Sequence, residues 1–128
     1  MFKNTKAFSG FSVDDLKQAK GFYGDTLGLN VTATPEGLDL QLAGGGHVFL
    51  YPKPNHAPAT FTVLNFQVDN IDQAVEELAA LGIKFESYEG EIKTDEKGVF
   101  RGKAQGKGPD IAWFKDPAGN ILSVIEEK

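Results

Sequence analysis

The sequence predicts an α+β fold made of two tandem βαβββ modules, and three observations carry that prediction. The segment FSVDDLKQA at Phe11–Ala19 returns as FQVDNIDQA at Phe66–Ala74, at a constant offset of 55 and with five of nine positions identical. Leu27-Gly28-Leu29 returns as Leu81-Gly82-Ile83 at an offset of 54. Each copy opens on a two-residue period, continues on a helical one, and is followed by three short strand-like runs. One supersecondary unit present twice explains all three. The units span about 7–52 and 61–126 within a single domain 1–128, joined by a connector at 53–60.

Each element has a local reason. In the first strand Phe11 and Val13 share one face, and Gly10 and Ser12 the other. In its counterpart Leu64, Phe66 and Val68 oppose Val63, Asn65 and Gln67. Asp15 and Asn70 are placed to cap the helices that follow, because a short polar side chain can accept the free amides of the first turn. Leu16, Ala19, Tyr23 and Leu27 recur at helical spacing, as do Ile71, Ala74, Val75, Leu78 and Leu81. Gly28 and Gly82 stand where a left-handed residue ends a helix. Gly21 and Gly24 weaken the first helix, each by about 1 kcal/mol relative to Ala. Strands are predicted at 29–34, 37–43 and 46–52, then at 83–88, 110–115 and 120–125. Gly44-Gly45-Gly46 and Asp116-Pro117-Ala118-Gly119-Asn120 supply hairpin turns. The Pro52–Pro58 stretch reads as a semi-rigid linker. Residues 89–108, rich in Gly and Lys, read as an inserted mobile loop.

The composition excludes several classes of function. Of 128 residues, 41% are hydrophobic and 24% charged, enough for an ordinary core. A net charge of −5 repels phosphate backbones and anionic lipid, so neither nucleic acid nor membrane is an expected partner. Cysteine is absent, which removes disulfides, thiolate nucleophiles and sulfur-ligated metals. No targeting or membrane-spanning stretch is read, and the expected location is cytoplasmic. The catalytic vocabulary is short: two histidines, His47 and His56, and one arginine, Arg101.

A strand ending in Val-x-Asp, a helix carrying Phe22-Tyr23 and closing on Leu27-Gly28-Leu29, and the terminal DPAGN turn together resemble the vicinal oxygen chelate superfamily. Glyoxalase I, extradiol dioxygenases, fosfomycin-resistance proteins and bleomycin-binding proteins belong to it. The resemblance covers nearly the whole chain. It implies two four-stranded mixed sheets curved around a central cavity with helices outside, and a homodimer. In metal-dependent members it implies inward His or Glu ligands on the first and last strands of each copy.

Those ligand positions fall here on Phe8, Leu50, Val63 and Ser123, with Leu50 obtained by matching Gly46 to Gly119. None suits a divalent ion, which wants imidazole or carboxylate. His47, three residues before Leu50, is turned by alternation to the opposite face. His56 reads as a solvated linker residue, and Glu86, Glu89 and Glu91 as surface charges. No metal or other cofactor is expected.

Alternation points Phe8, Gly10 and Ser12 inward from one copy, and Val63, Asn65, Gln67, Ile121, Ser123 and Ile125 from the other. Asn65 and Gln67 offer amide donors and acceptors but no acid–base chemistry at neutral pH. Of the adjacent pair Trp113 and Phe114, one must face the core; Trp113 is the expected ligand platform, since an indole N–H benefits from a polar partner. Phe49 and Tyr51 share a face opposite Leu50. Arg101, flanked by Phe100 and Gly102, is placed to close over an anionic group, or equally to remain a solvated loop charge or to pair with Asp95 or Glu96. No serine is expected to have a histidine base, which disfavours nucleophilic hydrolysis.

The expected function is metal-free binding of a small organic molecule, with Phe8, Ser12, Leu50, Val63, Asn65, Gln67, Arg101, Trp113 and Ser123 as contacts. The alternatives are enzymes. One is a glyoxalase-like lyase, isomerase or dioxygenase with unconventional metal ligands; another uses Tyr51 or Glu86 as acid or base with Arg101 as anion clamp.

Overall fold

The computed structural model describes residues 1–127, and the chain divides into two units, Met1–Pro58 and Ala59–Lys128. The first runs β1 (Ser9–Val13), α1 (Leu16–Lys20) continued as a π-helix over Gly21–Thr26, β2 (Asn30–Ala33), β3 (Leu38–Gln41) and β4 (His47–Pro52). The second runs β5 (Thr62–Gln67), α2 (Ile71–Ala80), a 3₁₀ turn over Gly90–Ile92, β6 (Val99–Arg101), β7 (Asp110–Lys115) and β8 (Ile121–Glu126). Their sheets have the same plan, with orders β1-β4-β3-β2 and β5-β8-β7-β6. In each, the first and last strands of the unit pair in parallel and the rest are antiparallel.

The capping residues do what short polar side chains do. Asp15 accepts from the Gln18 amide at 3.0 Å, and Asn70 from the Gln73 amide at 3.0 Å. Gly28 and Gly82 adopt φ of 77° and 92° just beyond their helices. The first helix is less regular than its period suggests. After one turn it widens to π geometry, with Leu27 N–H donating to Phe22 O at 2.9 Å. Gly21 and Gly24 give that stretch little α-helical preference, and packing decides it. Tyr23 is fully buried there, edge-on to Phe22 at 5.1 Å and tilted against Phe11 at 6.3 Å.

Each helix covers one face of its own sheet. In the first unit Val13, Leu38, Leu40, Val48 and Leu50 are buried on that face. In the second Val99, Ala112, Phe114, Leu122 and Val124 are buried with Ile71 and Val75 of α2. Among the described residues, neither α1 nor α2 lies on the opposite face of its own sheet.

The strand prediction for 83–88 needs correction. That segment forms only a single bridge, Phe85 to Phe114, and the edge strand is β6, inside the stretch expected to be a loop. Two adjacent apolar residues, Val99 and Phe100, are too few to show a period, yet both are buried. Nor does the stretch hang loose. The Asp95 carboxylate accepts from the Lys97 and Val99 amides at 2.9 Å each, and Thr94 Oγ1 accepts from the Tyr88 amide at 2.9 Å. Gly98, at φ 84°, packs so closely on Phe85 that a Cβ would lie 2.9 Å from the Phe85 side chain.

Candidate functional site

Register decides which side chains share the helix-free faces. In the first unit Gly10 pairs with Phe49 and Ser12 with Tyr51, so these four residues share that face. Phe8 joins them: it is 61% exposed and stacks on His47 at 4.6 Å. Leu50 does not. It pairs with Phe11, is fully buried, and lies on the helix side of β4.

The misplacement of Leu50 has a specific cause. Gly119 N–H donates to Asp116 O, and Asp116 N–H to Asn120 O; in the first unit Gly45 N–H donates to Leu42 O, and Leu42 N–H to Gly46 O. Left-handed φ falls at Gly119 (87°) in one turn and at both Gly44 (95°) and Gly45 (93°) in the other, so the hydrogen-bond pattern is what sets the match. Gly45, not Gly46, is therefore the counterpart of Gly119, and Phe49 is the counterpart of Ser123. A shift of one residue reverses the face. His47 is thereby on the helix-free face, with Asp39 Oδ1 at 3.9 Å from its Nε2.

A bulge produces a second correction. Thr62 pairs with Ile121 but Leu64 with Leu122, leaving Val63 as the extra residue. Strict alternation would put Val63 beside Asn65 and Gln67. Instead Thr62 takes that place, and its Oγ1 accepts from Trp113 Nε1 at 3.1 Å. Among the sequence signals, nothing marked this bulge.

Around it the second unit gathers a coherent face. Asn65 pairs with Ser123 and Ser123 with Trp113. Ser123 is fully buried and donates its hydroxyl to Asn65 Oδ1 at 2.5 Å. The exposed Asn65 amide is thus held with its nitrogen turned outward. Trp113 stands between Tyr88, edge-on at 5.4 Å, and Phe100, tilted at 6.4 Å, while Phe114 is buried beneath α2. Ile111 and Ile125 complete the apolar surround. Gln67 lies at the strand end, 3.4 Å from Glu127 Oε1, in a cleft of about 480 Å³ shared with Asp69, Ile125 and Glu126.

Arg101 lies elsewhere. It pairs with Asp110 on the helix side of its sheet, where its guanidinium donates to both Asp72 oxygens at 2.7 and 3.2 Å and to Asp95 at 3.0 Å. The Asp72 hydrogen bond comes first among the causes that raise the arginine further above its usual range, and Arg101 in turn lowers Asp72. Held by two carboxylates, it is placed as a brace between α2 and the 89–101 segment. Glu86 faces Lys115 at 3.5 Å.

His56 was expected in solvent, but its Nδ1 lies 2.6 Å from Ser12 Oγ, and the pair is partly buried. The expectation that no serine has a histidine partner is overturned with it. The reason is nonlocal: Lys53 N–H donates to Val13 O, extending the parallel β1–β4 ladder, and the turn closed by His56 N–H to Lys53 O then returns the chain toward Ser12.

The positions where the family resemblance expects metal ligands hold the rings of Phe8 and Phe49 and the hydroxyls of Thr62 and Ser123. Both hydroxyls are neutral and already hydrogen-bonded. This donor set does not fit a divalent ion. Among the described residues, no group of three or more His, Asp or Glu side chains is arranged to hold a metal.

The chain belongs to the Glyoxalase/Bleomycin resistance protein/Dioxygenase superfamily, whose family model matches residues 8–124. Its fold recurs in a glyoxalase family protein from Bacillus anthracis, at 21% identity and TM-score 0.69, covering 100% of each chain. An antibiotic-binding protein from a Streptomyces species matches at 22% identity and TM-score 0.65, covering 98% of each chain. A fosfomycin resistance protein from Listeria monocytogenes matches at 15% identity and TM-score 0.68, covering 98% of this chain and 94% of that one. At these identities the likeness establishes the fold alone. No curated protein matches the chain. No helix among the described residues is long and apolar enough to cross a membrane.

Proposed function

We propose that this protein binds a small organic molecule without a metal, against the helix-free face of its second sheet. The carrying observation is the Ser123–Asn65 hydrogen bond. It fixes an exposed amide on the edge strand β5, bordering the apolar and aromatic face that carries Trp113. That combination is the usual make-up of a small-molecule site. Trp113 has its N–H satisfied by Thr62, so what it offers a ligand is ring surface. Asn65 supplies orientation rather than acid–base chemistry. The antibiotic-binding relative from Streptomyces supports the same reading by its stated ligand class.

A thermal-shift screen of small organic compounds, followed by titration of Trp113 fluorescence, tests it. A true ligand raises the midpoint, and Asn65→Ala weakens its binding about tenfold, the worth of roughly 1.4 kcal/mol for one hydrogen bond.

A metal-dependent lyase, isomerase or dioxygenase is the second reading. The observation in its favour is the placement of His47 and Asp39 together on one helix-free face. Two donors leave such a site short of ligands. Stoichiometric nickel, zinc or manganese in purified protein, or a midpoint shift of several degrees on adding one, would establish this reading over the first. The homodimer that the resemblance implies is part of the proposal, and light scattering at micromolar concentration tests it.

A further inference from the structure

We infer that Ser12 is a histidine-activated nucleophile that takes an acyl or phosphonyl group from activated esters. This is separate from the ligand-binding face proposed above, since it lies in the first unit and uses other residues. Three observations converge on it. Ser12 Oγ and His56 Nδ1 are 2.6 Å apart, within the reach required of a nucleophile and its base. Both residues are only partly buried, so the pair is not sealed in the core. The main chain that carries the imidazole is held in place, through the His56 amide to Lys53 O and the Lys53 amide to Val13 O, both at 3.0 Å.

The neighbourhood suits an apolar acyl or aryl group. Tyr51 pairs directly with Ser12 across the parallel β1–β4 ladder, and Phe49 stacks with it at 6.1 Å. Together they form an aromatic shelf beside the hydroxyl. Gly10, on the same face, adds no side chain.

In the Nε2–H tautomer, Nδ1 accepts the Ser12 hydroxyl proton as Oγ attacks the ester carbonyl. The new bond is Oγ–C, and the bond broken is that between the carbonyl carbon and the alcohol oxygen. His56 returns the proton to the departing alkoxide, which leaves as the alcohol. Water then repeats the sequence, giving the carboxylic acid and regenerating Ser12. With a fluorophosphonate the new bond is Oγ–P, fluoride leaves, and the proton goes to solvent by way of His56.

The test uses the full-length protein and an alkyl fluorophosphonate probe, read by intact mass and peptide mapping. One adduct per chain is expected, on Ser12, with neighbouring exposed Ser9 unlabelled. His56→Gln should slow labelling about 100-fold or more, and Ser12→Ala should abolish it. An unlabelled wild-type protein, or label spread equally over Ser9 and Ser12, would overturn the inference without recourse to any variant. Labelling of His56→Gln at the wild-type rate would overturn it as well.

Discussion

Phe49 and Leu50 are neighbours on β4 that serve opposite faces of one sheet: Leu50 is fully buried on the helix side, and Phe49 pairs with Gly10 on the helix-free side. Their substitutions should therefore separate stability from surface chemistry. Leu50→Ala is expected to cost about 2–5 kcal/mol, as large-to-small changes in a packed core do. Phe49→Ala, on the half-buried side, should cost distinctly less. Urea unfolding of the two variants checks the order, and equal losses would contradict the face assignment.

Arg101 bridges Asp72 of α2 and Asp95 of the loop, so Arg101→Ala removes both links and leaves Asp72 with Lys97, at 3.5 Å, as its remaining cation. A loss of about 1–2 kcal/mol is expected, moderated because these groups are partly exposed. Arg101→Lys should recover little of it, since an ammonium cannot reproduce the bidentate fork on Asp72 and the separate Nε contact to Asp95. Denaturant midpoints of the pair decide the matter, and full recovery by lysine would show that charge alone suffices.

Acid should weaken the second unit through the same carboxylates. Asp72 is lowered chiefly by its hydrogen bond with Arg101, and Glu126 by Lys103 and then by the Ile71 amide. In Asp95 burial pushes upward, but the Val99 amide and Arg101 outweigh it. All three thus bind protons less readily folded than unfolded. Their stabilisation is complete above the unfolded carboxylate range, about pH 4, and is lost as pH falls through the folded values. The midpoint of wild-type protein should drop on going from pH 6 to pH 3, and the drop should be shallower in Asp72→Asn.

Two glycines predict opposite outcomes for the same change. Gly37→Ala would place its Cβ 2.1 Å from the Leu50 carbonyl oxygen, a backbone atom that cannot yield without disturbing β4. A loss of about 1–3 kcal/mol or more is expected. Gly21, helical at φ −63° and ψ −43°, has nothing within 4 Å of an added Cβ. Gly21→Ala should gain about 0.5–1 kcal/mol by restricting the unfolded chain. Thermal midpoints moving in opposite directions would confirm both.

Much of the fold was legible because its signals are local. The repeated Phe-x-Val-Asp segment, the caps Asp15 and Asn70, and the helix-ending glycines Gly28 and Gly82 all act within a few residues of where they stand. The strand β6 was not legible, since Val99 and Phe100 form too short a run to show alternation. Arg101 was legible only in part: pairing with the nearby Asp95 was open from the sequence, but its second partner Asp72 lies 29 residues earlier in the chain. Ser12 and His56, 44 residues apart, meet only because the turn after β4 returns the chain toward Ser12.

The amino-acid sequence by itself determined the two-module plan, the strand and helix order of the first module, and a cysteine-free chemistry poor in metal ligands. Tertiary structure decided which side chains share a face. That division follows from the two-residue period of a strand. A hydrophobic pattern specifies elements even when its boundaries are uncertain, but one residue more or less reverses every side chain that follows. The bulge at Val63 is one such shift, and matching Gly46 rather than Gly45 to Gly119 amounts to another; for these reasons Thr62 and Phe49 stand where Val63 and Leu50 were expected.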